Sequence, residues 1–190
     1  MAAVGSALSA WQFTEDAVSH IFESLITDCG PKGAYVNSMS PAERAYGSIV
    51  SFDGRTGMVQ AAAEAFFEVH KNSALYARLR TLLKTCRGWS ARRNEVAHGQ
   101  IGGSPIDLNL CALWPWELSA KKRATDYRAS FVYNSAQIKE FERQFFALCE
   151  HLMDFERDFH VWRRTLRGER LWPNQEHPIA DTSADQVPLQ

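Results

Sequence analysis

One short stretch, Arg93-Asn94-Glu95-Val96-Ala97-His98-Gly99, carries a guanidinium, a carboxamide and an imidazole within roughly two turns of helix. An imidazole titrates near pH 6.5, so it can take up or deliver a proton under neutral conditions. A guanidinium offers a planar fork of donors that fits phosphate oxygens. A carboxamide can orient the imidazole or bind a phosphate oxygen. Each group also has an ordinary structural role. An arginine often pairs with a distant carboxylate, and a histidine near a helix end often meets its free carbonyls.

The surroundings add positive charge. No acidic residue lies between Glu68 and Glu95, while Lys71, Arg78, Arg80, Lys84, Arg87, Arg92 and Arg93 all do. At about 100° per residue, Leu75, Leu79, Leu82, Cys86, Trp89 and Ala97 fall on one apolar stripe, with Arg93 in its middle. A guanidinium there must be paired, face a second subunit or serve a site. Beside the stripe runs a polar row of Arg80, Lys84, Arg87, Asn94 and His98. A basic helix face is commonly only a solvated face, so the row by itself decides nothing.

The elements that must position these groups read as helices. Residues 7–26 repeat Val18, Ile21, Phe22 and Leu25 at helical spacing. Ser40-Pro41-Ala42-Glu43 is a capping box with proline at the first helical position, and it opens a short helix that Asp53-Gly54 ends or kinks. Residues 56–70 form a further run, and residues 73–99 the basic helix, with a bend possible at Gly88-Trp89 and an end at Gly99, Gly102 and Gly103. Residues 108–114 and 129–133 are candidate hairpin strands, and Pro115 marks a turn or an edge. Asn134 or Ser135 caps a last helix reaching about residue 167, with Ile138, Phe141, Phe145, Leu148, Leu152, Phe155, Phe159 and Trp162 on one face. The expected fold is mainly α: a helical bundle in one domain, residues 1–170, with a small irregular or β-hairpin insertion at about 102–133 and a flexible tail, 171–190.

Composition narrows the function. The 190 residues have a net charge of −1, which argues against a protein that coats nucleic acid wholesale but allows a local basic patch. Cys29, Cys86, Cys111 and Cys149 are scattered, unlike a zinc site or a disulfide framework. His20, His70, His151, His160 and His177 show no paired metal spacing, so neither a metal nor another cofactor is expected. No apolar run is long enough for a bilayer and no leader is evident, which predicts a cytoplasmic protein without membrane contact. Trp114-Pro115-Trp116 and Phe131-Val132-Tyr133 read as an aromatic lid over the bundle in preference to a base-stacking platform.

The R-N-x-x-A-H-G string near the end of a central helix resembles the R-x4–6-H signature of the HEPN family. The resemblance spans roughly residues 11–167, firm at the motif and architectural elsewhere. It implies a HEPN-like bundle with Arg93, Asn94 and His98 as the site, and a homodimer. Active members are metal-independent endoribonucleases, many of them toxins or phage-defence effectors, and others are non-catalytic. RNA brings its own nucleophile, the ribose 2′-OH, so cleavage needs a base, an acid and cations for the phosphorane charge. The expectation is an endoribonuclease leaving a 2′,3′-cyclic phosphate, with Arg80, Lys84 and Arg87 along the RNA backbone and an antitoxin or other protein as a further partner. The alternative is a non-catalytic, dimeric HEPN-like module that binds RNA, a nucleotide or a protein.

Overall fold

Ser40 starts a helix as its neighbours dictate. Its hydroxyl accepts from the Glu43 backbone N–H at 3.1 Å, and the Glu43 carboxylate accepts from the Ser40 N–H at 2.7 Å. Asn134 does the same with Gln137 at the last helix, the two reciprocal bonds being 2.9 and 3.0 Å. Both devices satisfy backbone donors that a first turn leaves open. The computed structural model describes residues 2–27, 40–103, 111–115 and 131–166. The tail expected from residue 171 and most of the insertion lie outside the described residues.

The order is α1 (Ala2–Ile26), α2 (Pro41–Gly47), α3 (Phe52–Val69), α4 (Ser73–His98), β1 (Gly99–Gly103), β2 (Cys111–Pro115) and α5 (Ser135–Leu166). The protein is mainly helical, with a two-stranded antiparallel sheet before the last long helix. Among the described residues no helix is long and apolar enough to cross a membrane.

Two expectations need correction. Asp53-Gly54 does not end a helix. Ser51 caps α3, its hydroxyl accepting from Gly54 N–H at 3.1 Å, so Asp53 and Gly54 form the first turn. An acidic side chain there matches the helix dipole. The sheet also holds a strand that was not expected. Residues 99–103, expected only to break the helix, form β1 and pair with β2 in the register Gly99↔Pro115 to Gly103↔Cys111. The expected pairing of 108–114 with 129–133 is present at the antiparallel bridge Leu113↔Tyr133, and residues 108–110 and 129–130 lie outside the described residues.

α1 and α5 pack most extensively and run parallel, as the successive contacts Thr14 with Phe145 and Ser24 with His160 require. α1 has no basic residue in its last turn. Arg163 of α5 supplies one from outside, donating to the Ser24 and Thr27 carbonyls at 2.5 and 2.6 Å. These bonds satisfy carbonyls that the helix end leaves unpaired.

The core has two parts. The larger joins Val18, Ile21 and Phe22 of α1 to Leu79, Leu83 and Cys86 of α4 and Leu152, Phe155 and Phe159 of α5. The smaller gathers Trp11, Val96, Leu113, Tyr133, Ile138 and Phe145. Its aromatic rings meet edge to face, Trp11 against Phe145 at 5.0 Å and against Phe52 at 4.9 Å. This second core lies beneath the carboxyl end of α4, where the motif sits.

Candidate functional site at the carboxyl end of helix α4

Burial of Leu79, Leu83, Cys86 and Val96 fixes the rotation of α4 about its axis. The helix runs unbroken through Gly88. Val96, at 1% exposure, holds the motif turn down, and Ala97 is only half-buried. Arg80, Lys84, Asn94 and His98 are exposed, as their shared polar row requires, while Arg87 and Arg93 are half-buried.

The other arginines near the site are occupied. Arg55 pairs with Glu15 at 2.7 Å, and Arg92 with Glu95 at 2.6 Å. Arg87 reaches α3, donating to Thr56 Oγ1 at 2.9 Å and Gln60 Oε1 at 3.3 Å, with Asp53 at 3.4 Å. That ties Arg87 to the bundle, whereas the sequence placed it with Arg80 and Lys84 on an open basic track. Arg80 lies over the Tyr76 ring at 5.7 Å.

Arg93 differs from these. Its one side-chain bond among the described residues is a donation from Nη1 to Asn94 Oδ1 at 3.2 Å. No carboxylate pairs with it among the described residues, and its Nε is buried without a hydrogen-bond partner. A buried donor left unmade costs about 1–3 kcal/mol, more when the group is charged. Such a donor is an exception among buried polar groups, nearly all of which find a partner.

The side chain faces a cleft of about 390 Å³ between α1, residues 50–51, the start of α3, and α4. Trp11, Glu15, Ser51, Phe52, Arg93 and Asn94 are among its walls. His98 is not. Five residues turn an ideal helix by about 140° beyond a full circle, so Arg93 and His98 of one chain point apart. Asn94 and His98, one turn apart, share an exposed face. Among the described residues no hydrogen bond or ion pair holds the His98 imidazole.

The motif's other polar residue is structural. Glu95 Oε2 accepts from the Tyr133 hydroxyl at 2.5 Å and from Arg92 at 2.6 Å, while Arg92 also donates to the Tyr133 oxygen at 2.6 Å. Burial, together with the bond to Glu95, pushes the Tyr133 hydroxyl above the usual tyrosine range, and the Arg92 contact opposes it. Tyr133 also stacks on Phe131 at 5.1 Å and meets Phe141 edge-on at 4.9 Å, consistent with the lid expected there. Gly99 closes the motif because a Cβ there would lie 2.6 Å from Leu113 Cγ and 2.8 Å from the Glu95 carbonyl oxygen. The glycine lets the chain turn from helix into β1 against a buried leucine.

Sequence reasoning missed Tyr133 as a partner of Glu95, and missed Trp11, Glu15, Ser51 and Phe52 as cleft walls. All are distant in the chain, and no local spacing marks them. Among the described residues no group of three or more His, Cys, Asp or Glu side chains is placed to hold a metal ion. No protein-family model, curated protein or solved structure matches this chain.

Proposed function

We propose that this chain is a metal-independent endoribonuclease of the HEPN type, acting as a homodimer in the cytoplasm. The observation that carries the reading is the state of Arg93: a guanidinium that no carboxylate neutralises among the described residues, next to an exposed Asn94 and one helical stretch from an exposed His98. Phosphoryl transfer within RNA needs those group types. The His98 imidazole takes the proton of the ribose 2′-OH or delivers one to the departing 5′-oxygen. Arg93 donates to the phosphorane oxygens, whose charge grows as the bond to the 2′-oxygen forms. Asn94 steadies Arg93 through its carbonyl oxygen and keeps its amide N–H groups for the phosphate. Arg80 and Lys84, both exposed on the same helix, attract the RNA backbone. Arg87, tied to α3, contributes field more than contact.

Arg93 and His98 of one chain point apart, and one chain brings one imidazole where two proton transfers are needed. A two-fold axis near the carboxyl ends of two α4 helices supplies the second imidazole and lets His98 of one copy approach Arg93 of the other. A toxin or phage-defence role, restrained by an antitoxin or another protein, follows from the resemblance. The divergence of Arg93 and His98 within one chain is also what a non-catalytic RNA- or nucleotide-binding module would show.

The chemistry is tested by incubating the purified protein with RNA in EDTA and analysing the product ends. Cleavage that persists and leaves 2′,3′-cyclic phosphate supports the reading. Activity that EDTA removes, with 3′-hydroxyl ends, assigns a different reaction, and no cleavage at all assigns the non-catalytic module.

A further inference from the structure

The two-stranded sheet after the motif has one bridged edge and one open edge. Leu113 of β2 exchanges both backbone bonds with Tyr133, its N–H donating at 2.8 Å and its carbonyl accepting at 3.0 Å. In an antiparallel ladder the N–H and C=O of one residue point to the same side, and the side alternates along the strand. Leu113 therefore turns its backbone groups away from β1, and Ala112 and Trp114 turn theirs toward it. In the register Gln100↔Trp114 and Gly102↔Ala112, it is Gln100 and Gly102 of β1 that bond to β2. The backbone groups of Gly99, Ile101 and Gly103 are left on the far edge. The same register sets Gly99 opposite Pro115, which has no N–H to give.

Among the described residues no strand or backbone group pairs with that far edge. Ile101 is 40% exposed, and Gly103 is exposed. β1 carries no charged residue and no proline, two devices that guard an open edge against another strand. The outward residues run glycine, isoleucine, glycine, so the edge reads the same in both directions. Such an edge is complementary to itself. Reversing a second copy about Ile101 sets each glycine opposite a glycine and each exposed isoleucine beside its mate. Contact across a two-fold axis requires this self-matching.

We propose that the open edge of β1 pairs antiparallel with β1 of a second copy of this chain, on a two-fold axis through Ile101. Ile101 then faces Ile101, and Gly99 faces Gly103, with about six backbone hydrogen bonds exchanged. The two hairpins join into one four-stranded sheet, past the three strands that a sheet needs for independent stability. Along the paired strands the two His98 residues lie about 20 Å apart. This contact is therefore separate from one that brings His98 of one copy to Arg93 of another, and it does not rest on the nuclease reading. A chain that makes both contacts assembles beyond the dimer.

Light scattering of the full-length protein over a concentration series tests the assembly. Ile101→Pro removes the outward N–H and leaves the bonds of Gln100 and Gly102 to β2 in place, as a proline on an edge strand does. Ile101→Lys sets two like charges on the axis. Each variant should halve the mass of the wild-type assembly, or raise its dissociation constant by about tenfold or more, with the helical circular dichroism kept. Cross-linking reads the register. Cys111 is exposed, whereas Cys86 and Cys149 are buried, so Cys29 and Cys111 are first changed to serine. Ile101→Cys in two paired copies puts the Cα atoms about 5.5 Å apart, within disulfide reach. Gln100→Cys puts them about 8 Å apart, beyond it. Oxidation should join the Ile101→Cys copies and leave the Gln100→Cys copies single. A wild type that stays monomeric, a mass that neither Ile101→Pro nor Ile101→Lys changes, or linkage through Gln100→Cys in preference to Ile101→Cys would overturn the pairing. None of these readouts is RNA cleavage, so the pairing and the nuclease reading fail separately.

Discussion

Replacing Gly99 by alanine tests whether the β-hairpin fixes the carboxyl end of α4, where His98 sits. Gly99 has φ −75° and ψ 155°, a conformation open to any residue, so the backbone itself does not object to a side chain. On entropy alone the change would stabilise the fold by about 0.4–1 kcal/mol. The obstacle is space. The added carbon would lie 2.6 and 2.9 Å from Leu113 Cγ and Cδ1, and 2.8 Å from the Glu95 carbonyl oxygen. Carbon pairs rest at about 3.5–4.0 Å, so something must move by about 1 Å. Leu113 is 2% exposed and lies in the smaller core, and the Glu95 oxygen belongs to the α4 backbone, so neither yields freely. Overpacking of this kind costs about 1–3 kcal/mol. Allowing for the entropy gain, the net loss is about 1–2 kcal/mol, or roughly 2–8 °C in melting temperature for a chain of this size. The decisive assay is a double-mutant cycle with Leu113→Ala, followed by urea denaturation. Leu113→Ala alone should cost about 2–5 kcal/mol, and less by at least about 0.5 kcal/mol when Gly99→Ala is already present. Wild-type stability in Gly99→Ala, or strict additivity in the cycle, would refute the packing argument.

The remaining expectations concern the groups that hold this end of the bundle. Tyr133→Phe removes a hydroxyl that both donates to Glu95 and accepts from Arg92, and should lower stability by about 1–2 kcal/mol in urea unfolding. An unchanged midpoint would show that the Arg92–Glu95 pair suffices without it. Burial pushes the Cys86 thiol up to about 12 and raises the Tyr46 and Tyr133 hydroxyls above the usual range. Folded groups that keep their protons longer than unfolded ones give stability that is intact below the unfolded values, about 8.5 for cysteine and 10 for tyrosine, and lost above them. The unfolding midpoint from these groups should therefore hold to about pH 8.5 and fall beyond it. A midpoint that rises from pH 9 to 11 would contradict the assignment.

The parts of the fold visible in the sequence were those set by near neighbours. Ser40 and Glu43, or Asn134 and Gln137, complete a cap within one turn, so four residues contain the whole mechanism. The buried positions of α4 and α5 repeat at helical spacing and fix both the elements and their inner faces. The misreading at Asp53-Gly54 came from treating glycine as a stop, although Ser51 had already provided the cap. The strand at Gly99–Gly103 carries little of the β-branched and aromatic character that marks strands, and its pairing with Cys111–Pro115 is a tertiary choice. At the site, residue types and the Asn94–His98 face were legible. What no local pattern discloses is that Glu15 pairs with Arg55 and Asp53 with Arg87, neither of them with Arg93.

The most direct measurement compares RNA cleavage by wild type with that by Arg93→Ala and His98→Ala, each checked for an unchanged fold. Loss of a general acid–base group slows a reaction by about 10²–10⁴-fold, and His98 is exposed at the helix end, so its removal should leave the unfolding midpoint in place. The account predicts that drop in rate for both variants with stability essentially preserved. Equal rates for wild type and His98→Ala would contradict it.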